Sequence, residues 1–409
     1  MGRQLPGQGL VPGRAKGYTR TSALPVPLVP EENVHIDPLL SPDAFVGLDN
    51  TTHLCTGGEA PWLKDFAPLY DDFAHLKSGG YEGRQVVYEK GEACRQKMGR
   101  LWDVAADRVA FMPSAAEAMS WLARGLDWRA GDNVVVPNLE FPSVAYAWKQ
   151  LEPLGVEIRL VAHQNWRTRE EDLLAAADSC TRVIAVSQVS FYSGQNLDIA
   201  RLSEGCHQRG ILLAVDATHA SGNVQVPAPL TDWCLSSSYK WMLATHGVAP
   251  CYASPRAEDQ LRPTSLGWRN LDVWPAQGAE RLPEVDTKPM PDRLEPGNPA
   301  MLVILFLNKA LDVLLDIGIE RIEAHNQGLS EYIAEGLQQL GLEVISPAEK
   351  KARSGNTCFA ADDAKGLQER LGAEGVLVWG EYGRVRISGH LYNGSADAQR
   401  LFAVLKDLV

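Results

Sequence analysis

The apolar residues of this chain are spaced in two different ways, and the change of spacing divides it. From about Arg108 onward, short apolar runs rich in β-branched residues recur between helical patterns: Val109-Ala110-Phe111, Val134-Val135-Val136, Val156-Glu157-Ile158, Val183-Ile184-Ala185-Val186 and Ile211-Leu212-Leu213-Ala214-Val215. Runs of this kind, alternating with helices, predict a mostly parallel sheet covered on both faces. After Pro299 the pattern predicts a long helix near 300–317, another near 319–340, then short strands and helices to Val409. That order implies a second, smaller α+β domain. The Pro and Gly cluster of Pro283 to Pro299 marks the junction, and residues 1–43, rich in Pro and Gly, read as an extended arm. The expected organisation is therefore an arm over 1–43, a large α/β domain over 44–298 and a small C-terminal domain over 299–409.

Composition narrows the partners. A net charge of −12 argues against nucleic acid as the main partner, because phosphate backbones reward a basic surface. The apolar stretch from Met301 to Leu307 stops at Asn308-Lys309, too short for a membrane span, and reads as a buried helix. Met1 to Pro30 holds no apolar run that could serve as the core of an export signal. The cysteines Cys55, Cys94, Cys180, Cys206, Cys234, Cys251 and Cys358 are widely spaced, with no C-x-x-C pair, so a reduced, cytoplasmic setting is expected.

Three places carry candidate chemistry. Phe111-Met112-Pro113-Ser114 leads into a helix start with Ser114 and Glu117 in capping-box spacing, and the small residues Ser114, Ala115 and Ala116 would let an anion approach free backbone N–H groups. The same residues fit ordinary capping. Asp216 ends an apolar strand, where open α/β sheets bind ligands, although a helix cap is the competing role. His219 follows it, and no metal-binding spacing such as H-E-x-x-H occurs. Lys240 lies in Ser236-Ser237-Ser238-Tyr239-Lys240-Trp241, among apolar bulk that would lower its pKa toward the range in which a lysine forms a Schiff base. With Asp216 available to a pyridinium nitrogen, it reads as a cofactor-anchoring lysine. Ser237 and Lys240 also spell the Ser-x-x-Lys of acylating serine hydrolases, but the chain's Lys77-Ser78-Gly79 precedes it, against the motif order of that class.

The runs Val186-Ser187-Gln188-Val189-Ser190-Phe191-Tyr192-Ser193-Gly194, Val215-Asp216-Ala217-Thr218-His219-Ala220-Ser221-Gly222, Ser237-Ser238-Tyr239-Lys240-Trp241 and Arg384-Val385-Arg386-Ile387-Ser388 stand in the order of the class V aminotransferases, which the chain resembles over roughly 45–409. The resemblance implies fold type I, pyridoxal phosphate as cofactor and a homodimer whose active sites are shared across the interface. It implies that Lys240 is the Schiff-base lysine and proton shuttle, that Asp216 partners the pyridinium nitrogen, and that His219 bonds the cofactor's phenolic oxygen. Ser237 and the Ser114–Ala116 turn would hold the phosphate, Gln188 would contact the cofactor, and Phe141 would stack on its ring. Gly297-Asn298-Pro299 stands where the family commonly has Gly-Thr-Pro and where a partner subunit touches the phosphate, and Arg386 would bind the substrate carboxylate.

One departure bears on the reaction. Cysteine desulfurases of this family carry a nucleophilic cysteine just before the arginine strand, whereas Val376 to Gly383 contains none. The expected enzyme acts at Cα and Cβ of an amino acid, first as a β-eliminating carbon–sulfur lyase, with an aminotransferase or an epimerase as alternatives. A cofactor-free binding protein is the remaining alternative, and it would not need to keep Asp216 and Lys240 together. Trp62, Trp268, Arg269 and Tyr392 are candidates for the substrate wall, with packing as their competing role.

Overall fold

Each apolar run of the first half lies in, or overlaps, a strand of one sheet. The computed structural model describes residues 35–273 and 285–409, so most of the expected arm over 1–43 falls outside the described residues. In chain order the strands are β1 (Thr52–His53), β2 (Val109–Met112), β3 (Asn133–Pro137), β4 (Glu157–Val161), β5 (Thr181–Ser187), β6 (Leu212–Asp216), β7 (Trp233–Leu235) and β8 (Ala249–Ala253). Seven of them form a sheet of order β2-β8-β7-β6-β5-β3-β4, parallel except for β8, which runs against both its neighbours.

The side chains of the central strands alternate between two cores, as a period of two requires. Val134, Val136, Val183, Ala185, Leu212 and Ala214 pack with the helix Ala115–Gly125. Val135, Ile184, Val186, Leu213 and Val215 pack on the other face with the helix Ile199–His207. Because both faces are covered, these strands read as unbroken apolar runs, and each fully buried Val, Leu or Ile stabilises the fold by roughly 1.5–3 kcal/mol. Edge strand β4 is only partly buried, which is why its run is interrupted by Glu157 and Arg159.

The stretch Met301–Leu307 opens the helix Met301–Ile317, in which Ile304, Leu305, Phe306 and Leu307 are buried. It packs on the helix Gly80–Trp102, where a Cβ at Gly91 would come within 2.9 Å of Met301 Cε. Among the described residues no helix is long and apolar enough to cross a membrane.

The C-terminal layer has strands β9 (Asn356–Ala360), β10 (Val376–Leu377), β11 (Trp379–Glu381) and β12 (Arg384–Ser388). An antiparallel sheet of order β11-β12-β9 is backed by the helices Ile319–Gln339, Ala364–Ala373 and Ser395–Leu408. The N-terminal segment is fastened here: β1 pairs with β10, Ser388 N donates to Leu54 O at 2.7 Å, and Ser395 N donates to Ile36 O at 2.9 Å. A two-residue turn joins β11 to β12, with Tyr382 at φ 54° and Gly383 at φ 74°. Both positive values suit the tightest hairpin connection.

Candidate active site

The parallel strands end together at one edge, with Ser187 opposite Asp216 and Asp216 opposite Leu235. The loop after β7 carries Lys240 over that edge and is pinned at several points. Ser236 N donates to Pro250 O at 3.1 Å, while Ser238 Oγ donates to Thr245 O at 2.7 Å and to Val248 O at 2.8 Å. Leu243, fully buried, is held at φ 58°, where a branched side chain is strained, and its N–H donates to Lys240 O at 3.0 Å.

Lys240 is buried, and its amine is pushed down to about 8 by that burial and then by the charge of Arg386, with Asp216 opposing. Its Nζ lies 3.2 Å from His219 Nε2 and 5.3 Å from the ring centre of Phe141. The amine is thus aimed at a histidine and an aromatic face. Asp216 is buried at the end of β6, where burial raises its pKa against the opposing effect of Thr218, whose N–H donates to Oδ1 at 2.8 Å. Part of the capping role weighed for Asp216 is therefore real. Burial, reinforced by Lys240, Arg386 and Arg384, keeps His219 neutral.

Phe141 is placed by a residue that the sequence reading passed over. Glu140 accepts from Phe141 N at 2.7 Å, from Ser187 N at 2.6 Å and from the Ser187 hydroxyl. Burial pushes its carboxyl up to about 7. The available signal was its place directly before Phe141-Pro142, where a carboxylate can cap the turn.

Ser114 caps the helix Ala115–Gly125 by accepting from Glu117 N at 3.1 Å, whereas the Glu117 carboxylate turns to Arg124 at 3.2 Å. Because β2 runs parallel in direction to β7 across the antiparallel β8, the Ser114–Ala116 turn and Ser237 flank the same sheet edge. Ser237 N donates to Thr218 Oγ1 at 2.9 Å.

One expected cofactor contact, Gln188, lies away from Lys240. Gln188 continues β5 by one residue past Ser187, so alternation turns its side chain to the other face. There Nε2 donates to Gln225 O at 2.8 Å, in a separate cavity that includes Asn196 and Asp198. Gly297 and Asn298 lie outside the Lys240 cavity: Asn298 borders a groove with Tyr81 and Arg84, and its Oδ1 accepts from Tyr88 OH at 2.9 Å.

Arg386 on β12 does meet Lys240, in a cavity of about 560 Å³ walled by Phe141, Phe191, Tyr192, Trp379 and Tyr382. Its Nη1 donates to Phe191 O at 2.9 Å, but its buried Nε has no partner among the described residues. A Cβ on Gly57 would come within 3.1 Å of that Nε, so the glycine keeps the space beside it open. A buried donor left unsatisfied is costly, and a substrate carboxylate is the natural acceptor. Burial draws the guanidinium down to about 10, and charge is retained at neutral pH.

None of Trp62, Trp268, Arg269 and Tyr392 lines this cavity. Trp62 packs on Phe66 and Phe306, Arg269 pairs with Glu295 at 2.9 Å, Tyr392 OH lies 2.5 Å from Thr56 Oγ1, and Trp268 is exposed. Cys55, by contrast, enters the field of both Lys240 and Arg386, although burial pushes its thiol up and away from the reactive thiolate. It arrives through the pairing of the N-terminal segment with β12, which no local motif announces.

The model of the family described as aminotransferase class-V matches residues 63–401. The chain belongs to the class V aminotransferase family. A probable cysteine desulfurase of Methanothermobacter thermautotrophicus is 25% identical over 92% of this chain and 98% of its own length. Among solved structures, the apo cysteine desulfurase of Thermococcus onnurineus superposes with a TM-score of 0.82 at 20% identity, over 91% of this chain and 99% of that one. The cystine C–S lyase C-DES, in complex with its reaction product cysteine persulfide, gives 0.79 at 19%, over 89% of this chain and 99% of that one. This member of the class V aminotransferase family is accordingly a fold type I, pyridoxal phosphate-dependent enzyme.

The residues present fit that cofactor. The cavity volume lies in the range of small-molecule sites, the Lys240 amine is partly neutral at physiological pH, and Phe141 presents its face beside it. The buried Asp216 carboxylate would be relieved by a cationic ring nitrogen.

Proposed function

We propose that this class V enzyme is a β-eliminating carbon–sulfur lyase acting on a free amino acid whose carboxylate is held by Arg386. The observation that carries the reading is the β11–β12 hairpin. Where a desulfurase of the family places its nucleophilic cysteine, this chain turns in two residues, Tyr382 and Gly383, and sets Trp379 and Tyr382 against the cavity. A lyase needs no sulfur-accepting thiol, because the sulfur group leaves Cβ with its electron pair.

Arg386 would clamp the substrate carboxylate through Nε, orienting Cα within the cavity it shares with Lys240. Lys240 would take the Cα proton, which requires its neutral form. Pyridoxal phosphate supplies the electron sink for the pair left at Cα. Asp216 would keep the ring nitrogen protonated, His219 would donate to the phenolic oxygen, and Ser237 with the Ser114–Ala116 turn would hold the phosphate. The aromatic side chains Phe141, Phe191 and Trp379 would flank Cβ while the carbon–sulfur bond breaks, and the released enamine would hydrolyse to pyruvate and ammonia.

In the same reading the enzyme is a homodimer in which Gly297-Asn298 of one chain reaches the other's phosphate. This is consistent with the position of Asn298 in a groove apart from its own Lys240. The cysteines are all unpaired, which supports a reducing, cytoplasmic setting.

The test is to incubate the holoenzyme with sulfur-containing amino acids and to follow pyruvate and ammonia. Their release without any added keto acid is the expected result. Strict dependence on a keto acid would overturn the lyase reading in favour of an aminotransferase, and inversion at Cα without pyruvate would do so in favour of an epimerase.

A further inference from the structure

His219 is held from behind by two donors. Trp241 Nε1 lies 3.4 Å from His219 Nδ1, and Asn356 Nδ2 lies 3.2 Å from the same atom. An indole N–H can only donate. The Asn356 amide suits the same arrangement, with Oδ1 accepting from Ser388 Oγ at 2.7 Å and its NH₂ group facing the imidazole. His219 Nδ1 is therefore an acceptor, and the neutral ring carries its proton on Nε2, the atom 3.2 Å from Lys240 Nζ.

The indole has little freedom to leave. A Cβ on Gly355 would come within 2.6 Å of Trp241 Cη2, and one on Gly222 within 2.2 Å of Trp241 O. Trp241 O also lies 2.9 Å from His390 Nε2. Trp241 follows Lys240 directly, whereas Asn356 opens β9 on the C-terminal layer, so the two donors lock His219 from both layers of the protein.

We infer that Trp241 and Asn356 are positioning residues that fix His219 as an Nε2–H donor and thereby set how readily the Lys240 nitrogen gives up its proton in the holoenzyme. The inference rests on Lys240 carrying the cofactor. A fixed donor favours an unprotonated nitrogen or an anionic oxygen in front of it, so it lowers the pH at which the cofactor-bound nitrogen deprotonates. With both donors removed, Nδ1 is free to take the proton, Nε2 can turn acceptor, and that pH rises. The other charged and titratable groups facing the site include Asp216 from β6, Glu140 beside Phe141, Tyr239 next to Lys240, Cys55 and Glu59 from the N-terminal segment, and Arg384 and Arg386 from β12. All of them are kept in the variants below.

The experiment is a pH titration of the visible absorption of bound pyridoxal phosphate in the wild-type holoenzyme, Trp241→Phe, Asn356→Ala, their combination and His219→Phe. The midpoint should rise by roughly half a pH unit in each single variant and about one unit in the double, in the same direction as His219→Phe. An unchanged midpoint in the double variant, with His219→Phe shifted, overturns the inference and leaves the two residues as packing. If Asn356→Ala does not fold, an unshifted Trp241→Phe beside a shifted His219→Phe overturns it equally. Failure of the wild type to show any absorption band would instead refute the reading of Lys240 itself.

Discussion

Lys240 and Arg386 line one cavity from two different constructions. The lysine stands at the end of a buried parallel sheet, where nearly every polar neighbour is already engaged: Ser236 and Ser238 with backbone carbonyls, Asp216 with Thr218, Glu140 with Phe141 and Ser187. The arginine stands on the C-terminal hairpin with a buried Nε that no group among the described residues satisfies. The sheet side is prepared to hold a permanent group, and the hairpin side to receive one that comes and goes. Substitutions on the two sides should therefore separate in their kinetics.

The largest separation comes from Lys240→Ala. Turnover should fall by about 10³-fold or more, since a positioned proton-transfer group is worth 10²–10⁴ and, in the proposed mechanism, this one also anchors the cofactor. Steady-state assays with excess pyridoxal phosphate would check it. Arg386→Leu should raise KM and lower kcat/KM by roughly 10²-fold, the loss of the charge-assisted contact with the carboxylate, while cofactor uptake stays as in the wild type. Equal losses of cofactor affinity in both variants would erase the distinction between the sides.

A pH experiment isolates the sheet side. Lys240 must be neutral to attack the cofactor, and its amine is drawn down to about 8, so it is charged below that value and free above it. Uptake of pyridoxal phosphate by the cofactor-free protein should accelerate about tenfold per pH unit up to about 8 and then level off. An unperturbed lysine would keep accelerating well beyond. Phe141→Leu should weaken cofactor affinity by about threefold to tenfold, read by equilibrium titration, because a stacking face is worth ~0.5–1.5 kcal/mol. Cys55→Ser should change turnover by less than about twofold, since its thiol is pushed away from the thiolate form.

The same division governed how much could be read from the sequence. Strands β2, β3, β5 and β6 were legible because they are buried on both faces, and Asp216 and Lys240 stood out because strand ends of an open parallel sheet meet at one edge. Motif order also pointed to Ser237, His219 and Phe141, which the fold sets near the same sheet edge. Gln188 shared that order, but a single step of strand alternation turns it to the other face. Trp62, Trp268, Arg269 and Tyr392 were proposed for their chemistry alone, and packing claimed three of them while Trp268 remained at the surface. What the sequence hid is what joins distant segments. Asn356 reaches His219 across 137 positions, and Cys55 enters by pairing of the N-terminal segment with β12. No local pattern encodes either meeting.

The central claim is that Lys240 is the lysine that carries the cofactor. Borohydride reduction of the holoenzyme, followed by proteolysis and mass spectrometry, tests it directly. The account predicts a reduced pyridoxyl group on the peptide bearing Lys240 and no such group in Lys240→Ala. A pyridoxyl group on another lysine of the wild type, or its persistence in the variant at full stoichiometry, would contradict it.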